Sequence, residues 1–307
     1  MHYGIALPQV GALADPDAVR AVATAAEAAG LSSLWALDRL LAPIDPRTPY
    51  PASPDGVLPP EQHTVLDPLG VLTLAAAVTE DIRIGTSVLV APWYSPVLLA
   101  RSLTTLDIIS GGRLTVGLGL GWSKDEYEAV GVEQRNLASN VEELLDVLHA
   151  VWADDVVEHH GRRCSIAPST INPKPAQPAG PPVLLAAYTP AGLDRVARRA
   201  DGWTPAGLPV GAIAPMFATV RDAAATYGRD PDALQLVVRA NIKLTERPLD
   251  GERPSYWGSV DQIAGDLIAT RDAGADEVIL DAQGSASTAM EYLELIDAIV
   301  MPAVLAA

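Results

Sequence analysis

Apolar positions along the chain follow two different periods. Short runs in which almost every residue is apolar or β-branched have the pattern of strands buried on both faces. They fall at 3–7, 33–37, 82–90, 113–118, 183–187, 201–203, 235–244 and 277–281. Between them lie longer stretches with apolar residues three or four apart, as in a helix resting one face on a sheet; Leu99, Leu103 and Leu106 are one such row. Helix starts are marked by a capping residue before a proline, at Asp15-Pro16, Asp67-Pro68, Ser95-Pro96 and Thr189-Pro190. Ser259 with Gln262 makes a capping box. Gly30 and Gly111-Gly112 close helices. Residues 141–151 continue the helical layer, 156–167 form a small hairpin around Gly161, and the last helix is predicted to end near Val300. Eight strands alternating with helices predict a parallel α/β protein, and the count is that of a (β/α)8 barrel in a single domain over 1–307. A doubly wound open sheet is the rival, but no G-x-G-x-x-G follows the first strand.

One stretch breaks the alternation. Residues 43–64 carry seven prolines and no periodic pattern, while strand–helix alternation continues on both sides. A long structureless loop inside such a domain is usually functional, and it is predicted to be a lid over the C-terminal mouth of the barrel.

Composition narrows the function classes. The formal net charge is −17, which opposes nonspecific binding to nucleic acid or anionic membranes. An anionic cofactor must then be held by local donors such as helix N-termini. No apolar run is long enough to span a bilayer, and MHYGIALPQV lacks the basic region and cleavage site of a signal peptide. The single cysteine, Cys164, allows no intramolecular disulfide, so a cytoplasmic protein is expected. His159-His160 reads as a surface pair without carboxylates at metal spacing, and no metal site is expected.

The segment 82–122 carries the most specific motifs. It reads IGTSV, then a P-x3-LA-x3-TLD run from Pro96, then ISGGR, then GLGLGW. Together these resemble the signature of the bacterial-luciferase-like oxidoreductases, and within them the actinobacterial enzymes that use the deazaflavin coenzyme F420. The resemblance runs from YGIALPQ at Tyr3 to the last helix. It implies a luciferase-like barrel and a hydride transfer between F420 and a small organic substrate. The neighbouring reading is an FMN-dependent monooxygenase using reduced flavin and O2. A third is a non-catalytic flavin-binding protein. The resemblance also implies a homodimer.

Barrel enzymes carry their sites at the C-terminal ends of the strands. That selects Asp38-Arg39, Ser87-Val88, Leu120-Gly121-Trp122, Ala186-Ala187-Tyr188-Thr189 and Trp203. The resemblance assigns roles to several of them. It implies a cis peptide at Ser87-Val88 that forms a bulge behind the central ring of the cofactor. Ala187-Tyr188-Thr189-Pro190 matches a phosphate loop, although Ala186-Ala187 stands where the family usually has two glycines. The glycines at 117, 119 and 121 permit a close approach of backbone, and Asp125 and Glu126, one helical turn further on, are expected either to reach the cofactor or to form a solvated first turn. Arg39 is the departure. Deazaflavin members commonly carry Asp-His at 38–39, and an arginine cannot shuttle a proton near neutrality. Arg39 is therefore expected to orient an anionic substrate, to steady negative charge on the reduced ring, or to pair with Asp38 or a lid carboxylate. His63 in the lid is a candidate substitute proton donor, with Tyr50 and Tyr94 behind it.

Overall fold

The computed structural model describes residues 1–305. The eight apolar runs form β1 (His2–Ala6), β2 (Ser33–Ala36), β3 (Arg83–Thr86), β4 (Leu114–Gly119), β5 (Val183–Leu185), β6 (Gly202–Trp203), β7 (Gln235–Asn241) and β8 (Glu277–Asp281). All pair in parallel. β1 lies between β2 and β8, and the ring closes through β3 and β4, where Ile84 faces Leu114 and Gly85 faces Thr115. This is a closed (β/α)8 barrel.

Most strand residues are fully buried because one face meets the helices and the other fills the barrel. The inner face holds a separate cluster of Trp35, Leu184, Val237 and Ile279. Trp35 fits there because its neighbours lack side chains. A Cβ at Gly85 would run into the indole ring, and one at Gly4 would lie 2.8 Å from Trp35 Nε1.

Nine helices surround the barrel among the described residues: α1 (Pro16–Ala28), α2 (Pro68–Val78), α3 (Pro96–Ile109), α4 (Lys124–Ala129), α5 (Leu137–Ala153), α6 (Pro190–Arg199), α7 (Val210–Thr226), α8 (Val260–Asp272) and α9 (Ala289–Leu305). Asp15, Asp67 and Thr189 cap as predicted, and Ser259–Gln262 closes its capping box. Ser95 occupies the N-cap of α3, but its side chain makes no capping bond. Helix α7 has no counterpart in the sequence reading, and Pro215 inside it obscures its period. The last helix runs on to Leu305, past the expected end near Val300, with Pro302 within it. No helix among the described residues is long and apolar enough to cross a membrane.

The SGGR motif builds the floor rather than the site. Gly111 and Gly112 both have positive φ and turn the chain from α3 into β4. Arg113 then clamps the end of α2. Its guanidinium donates to the carbonyls of Ala76 and Thr79 at 3.0 Å, of Ile82 at 2.8 Å and of Ser110 at 2.6 Å. The Ala76, Thr79 and Ser110 carbonyls are orphan acceptors of helix C-termini, and that of Ile82 lies just before β3.

Residues 43–64 hold only the short 3-10 turn Pro60–His63. The segment is latched to α4. Arg47 Nε donates to Asp125 Oδ1 at 2.7 Å, Arg47 also pairs with Glu128, and the Arg47 backbone N–H donates to Asp125 Oδ2 at 3.1 Å. Thr48 Oγ1 accepts from the Lys124 N–H.

Candidate active site

The C-terminal ends of the strands and the 43–64 segment enclose a cavity of about 540 Å³. Asp38 and Arg39 enter from the end of β2, Ser87 and Val88 from the turn after β3, Leu120 to Trp122 from β4, and Ala186 to Thr189 from β5. Tyr50, Pro51, Ala52 and Gln62 come from the 43–64 segment. The mouth thus brings together residues more than a hundred positions apart.

Asp38 is held by two donors. The Val90 N–H reaches Oδ2 at 3.0 Å and the Tyr94 hydroxyl reaches the same oxygen at 2.8 Å. Oδ1 has no hydrogen-bond partner among the described residues. Burial pushes the Asp38 carboxyl up to about 6; the two hydrogen bonds oppose this, and the nearby Asp67 and Glu126 add to it. Burial and the Asp38 charge raise the Tyr94 phenol, so that hydroxyl stays a donor.

Arg39 pairs with Glu126, not with Asp38 or a lid carboxylate. Its NH1 stands 3.3 Å from Glu126 Oε2, and both side chains are under a tenth exposed. Glu126 Oε1 also accepts the Leu40 N–H at 2.9 Å and the Leu41 N–H at 3.4 Å, so one carboxylate fixes the whole turn after β2. The Arg39 guanidinium lies against two rings, 5.1 Å from the centroid of Trp122 and 5.9 Å from that of Tyr50. Its Nε is buried without an acceptor. The arginine thus forms a wall between lid and barrel.

The Ser87-Val88 bond is cis, as the resemblance implies. The glycines of β4 make room for this turn: a Cβ at Gly117 would strike the Thr86 carbonyl, and one at Gly119 would lie 2.7 Å from Val88 Cγ2. Gly121 adopts φ +79°, which a side chain rarely tolerates. Arg239 from β7, which the sequence reading missed, also supports the turn. Its NH1 donates to the Ser87 carbonyl at 3.0 Å, its Nε to Asn241 Oδ1 at 3.1 Å, and its NH2 pairs with Asp281. The clue was a lone charge in a mostly apolar strand, LVVRAN, where a charge must find a partner.

The opposite end of the mouth is the start of α6. Thr189 Oγ1 accepts the Gly192 N–H at 3.2 Å. Arg195 also lines the cavity, three residues beyond Gly192 and so on the same helix face. Its Nε donates to Glu142 at 2.8 Å, while its terminal nitrogens have no acceptor among the described residues. A helix N-terminus with a guanidinium beside it suits a phosphate, and the cavity volume suits a planar organic group. The residues present therefore fit a phosphate-bearing flavin or deazaflavin.

Other sequence candidates stand elsewhere. Asp125 is engaged by Arg47, which lowers its carboxyl pKa, and does not line the cavity. His63 is likewise absent from the lining, where its neighbour Gln62 is found. Trp203 is buried, and its Nε1 donates to the Ala187 carbonyl at 2.9 Å behind the phosphate loop. His159 and His160, expected to be a surface pair without carboxylates at metal spacing, differ: His160 is exposed, its Nε2 2.9 Å from Glu158, whereas His159 is largely covered, its Nε2 3.6 Å from Glu143. The hairpin folds back on α5 and brings Glu143 to it. Glu143, His159 and Cys164 lie within metal-ligand distance of one another, but the Glu143 carboxylate already accepts the N–H groups of Arg162, Arg163 and Cys164.

Comparison with known proteins agrees with this geometry. The model of the family described as luciferase-like monooxygenase matches residues 1–303. An uncharacterized protein of Mycobacterium tuberculosis is 32% identical over 244 residues, which are 79% of this chain and 84% of that one. The crystal structure of the monooxygenase RslO1 from Streptomyces bottropensis has a TM-score of 0.76 at 23% identity, covering 96% of this chain and 98% of its own. The coenzyme F420 dependent tetrahydromethanopterin reductase of Methanopyrus kandleri has a TM-score of 0.71 at 17% identity, covering 92% and 93%. With its closed barrel, its cis turn after β3 and a family match over nearly its whole length, the chain belongs to the luciferase-like monooxygenase family.

Proposed function

We infer that the protein is an oxidoreductase that binds coenzyme F420 and transfers a hydride between the deazaflavin and a small organic substrate. The observation that carries this reading is the division of the mouth. One end, at α6, offers donors for a phosphate. The other end offers a buried carboxylate with a free oxygen, Asp38 Oδ1. When bound, the cofactor supplies or accepts the hydride.

The chain supplies the rest. Thr189, the first turn of α6 and Arg195 hold the phosphate. The turn at Ser87-Val88, steadied by Arg239, supports the ring from behind. Tyr50, Pro51 and Ala52 cover the substrate and exclude water, which strengthens every electrostatic contact inside. A hydride added to a carbonyl or imine carbon requires a proton at the heteroatom. Asp38, raised to about 6, is mostly ionised near neutrality but keeps a protonated fraction large enough to give that proton, and its carboxylate takes it back in the reverse direction. It fills the role that the histidine commonly found at position 39 would have in deazaflavin members. Tyr94 and the Val90 N–H then steady the carboxylate.

Titration of the purified protein with F420, and separately with FMN, tests the reading. Tight binding of F420 supports it. Binding of FMN alone, with oxygen consumption in its reduced state, would favour the monooxygenase reading to which the family description and the likeness to RslO1 point. A homodimer, cytoplasmic location and a single domain over the whole chain belong to the same proposal.

A further inference from the structure

We propose that Arg163, on the hairpin outside the barrel, is a positioning residue for Asp38: it fixes the turn that carries Tyr94 and so keeps the Tyr94 hydroxyl on the carboxylate. Its bearing on turnover rests on the oxidoreductase reading above.

The hairpin strands, Val157–His160 and Ser165–Ser169, pair antiparallel, and neither they nor the tip between them lines the mouth. The tip is fastened to α5. The Glu143 carboxylate accepts the N–H groups of Arg163 at 2.7 Å, Cys164 at 3.1 Å and Arg162 at 3.2 Å. From this anchored base the Arg163 side chain reaches the turn that leads into α3. Its NH2 donates to the Pro92 carbonyl at 3.0 Å and to the Tyr94 carbonyl at 2.8 Å. One nitrogen thus spans the two peptides on either side of Trp93. The turn has little restraint of its own. The Tyr94 N–H reaches the Ala91 carbonyl only at 3.4 Å, and Ser95, at the N-cap of α3, makes no side-chain bond there.

The clamp is a costly one. Arg163 NH1 is buried without a partner among the described residues, and burial lowers the guanidinium below its ordinary value. A hairpin that only covered α5 could place an apolar residue there. What the arginine adds is geometry at the other end of Tyr94. That hydroxyl is one of only two donors on Asp38 among the described residues, both on Oδ2. It approaches from behind, since Asp38 lines the cavity and Tyr94 does not. Each bond favours the charged carboxylate and opposes the effect of burial, while Asp67 and Glu126 act with burial. A Tyr94 that swings free removes one of the two, and the Asp38 ionisation then moves up.

The test reads the Asp38 carboxyl directly. The full chain, labelled with carbon-13 at its aspartate carboxyls and free of cofactor, is titrated by NMR, and the Asp38 signal is the one missing from Asp38→Asn. In the wild type it should titrate near 6. Tyr94→Phe should raise it by about one unit, the weight of one hydrogen bond to a charged acceptor. Arg163→Met, which keeps an apolar stem and removes the donors, should raise it by at least about half a unit. Arg163→Lys should restore most of the wild-type value. Arg163→Met added to Tyr94→Phe should shift it no further, whereas a long-range effect of the lost charge would persist in the double variant. A signal unmoved by Arg163→Met, or shifts that add in the double variant, overturns the proposal. If Arg163→Met does not fold, Glu143→Gln decides: it leaves the arginine in place, turns one acceptor at the hairpin tip into a donor, and should raise the titration in the same direction, and an unmoved signal there overturns the proposal as well. Because no cofactor is present, the two readings fail separately. An Asp38 that responds to Arg163 in a protein binding neither F420 nor FMN keeps the positioning role and removes the oxidoreductase reading. Binding of F420 with an Asp38 indifferent to Arg163 does the reverse.

Discussion

Asp38 makes a quantitative test of the site possible without knowing the substrate. In Asp38→Asn the amide oxygen can still accept from the Val90 N–H and the Tyr94 hydroxyl, and only the charge is lost. The folded-state value of about 6 lies roughly two units above that of an unfolded aspartate. Below about pH 4 the carboxyl is neutral in both states and carries no penalty. Between about 4 and 6 the unfolded chain ionises first, binds fewer protons than the folded one, and stability falls as pH rises. Above about 6 the full penalty, on the order of 3 kcal/mol at about 1.4 kcal/mol per unit, is in place. Asparagine escapes it. With an unfolding entropy of about 2.1 cal/mol/K per residue, that difference is a melting-temperature gap of about 5 °C. Thermal melts of both proteins from pH 4 to pH 8 should therefore coincide in acid and separate by several degrees, variant above wild type, near pH 7.5. A gap that is flat across this range, or wider in acid, would refute the assignment of a buried, partly protonated Asp38. Turnover should fall at least a hundredfold in the same variant, the usual exchange of activity for stability when a buried catalytic charge is removed.

Four further outcomes follow from the geometry. Glu126→Gln strips Arg39 of its buried countercharge and should lower stability by about 3 kcal/mol, read as a drop in melting temperature; an unmoved melt would mean that Arg39 finds another partner. Asp125→Ala releases both contacts from Arg47 and should speed amide exchange over residues 43–56 while leaving the melting temperature nearly unchanged, because the latch is solvent-exposed; unchanged exchange would mean the lid is held from its other side. Thr189→Glu places a carboxylate at the start of α6 and should weaken cofactor binding at least tenfold, and an unaltered affinity would locate the phosphate elsewhere. Light scattering should give twice the single-chain mass of 32.2 kDa, and a mass near the single value at micromolar concentration would contradict the dimer.

The fold was legible because it depends on local patterns. Caps, prolines and β-branched runs act within a few residues, and they located all eight strands and most helix starts. Helix α7 escaped because Pro215 interrupts its pattern while the helix continues around it. The site was legible in outline, since the ends of predicted strands mark the mouth. Its pairings were not. Arg39 meets Glu126 across 87 positions, and Arg239 meets Ser87 across 152, distances at which a sequence carries no local signal. The ISGGR motif carries a structural signal: its glycines close α3 as expected, and Arg113 bonds to helix ends and the floor of the barrel.

Trp35 and its two glycine neighbours constrain how this barrel can change. Shrinking Trp35 alone leaves a void in the inner cluster, with a loss of about 3–5 kcal/mol. Adding a methyl at Gly85 or Gly4 alone drives it into the indole or its immediate surroundings. Each single step is thus downhill in stability, although a smaller residue at 35 together with alanine at 85 fills the same space. Positions 35 and 85 behave as one unit spread over β2 and β3, whereas a Cβ at Gly4 would also meet Ser33 and Glu277. A substitution scan that moves one position at a time will score all of them as intolerant, and only paired libraries will reveal that the barrel interior has a second solution.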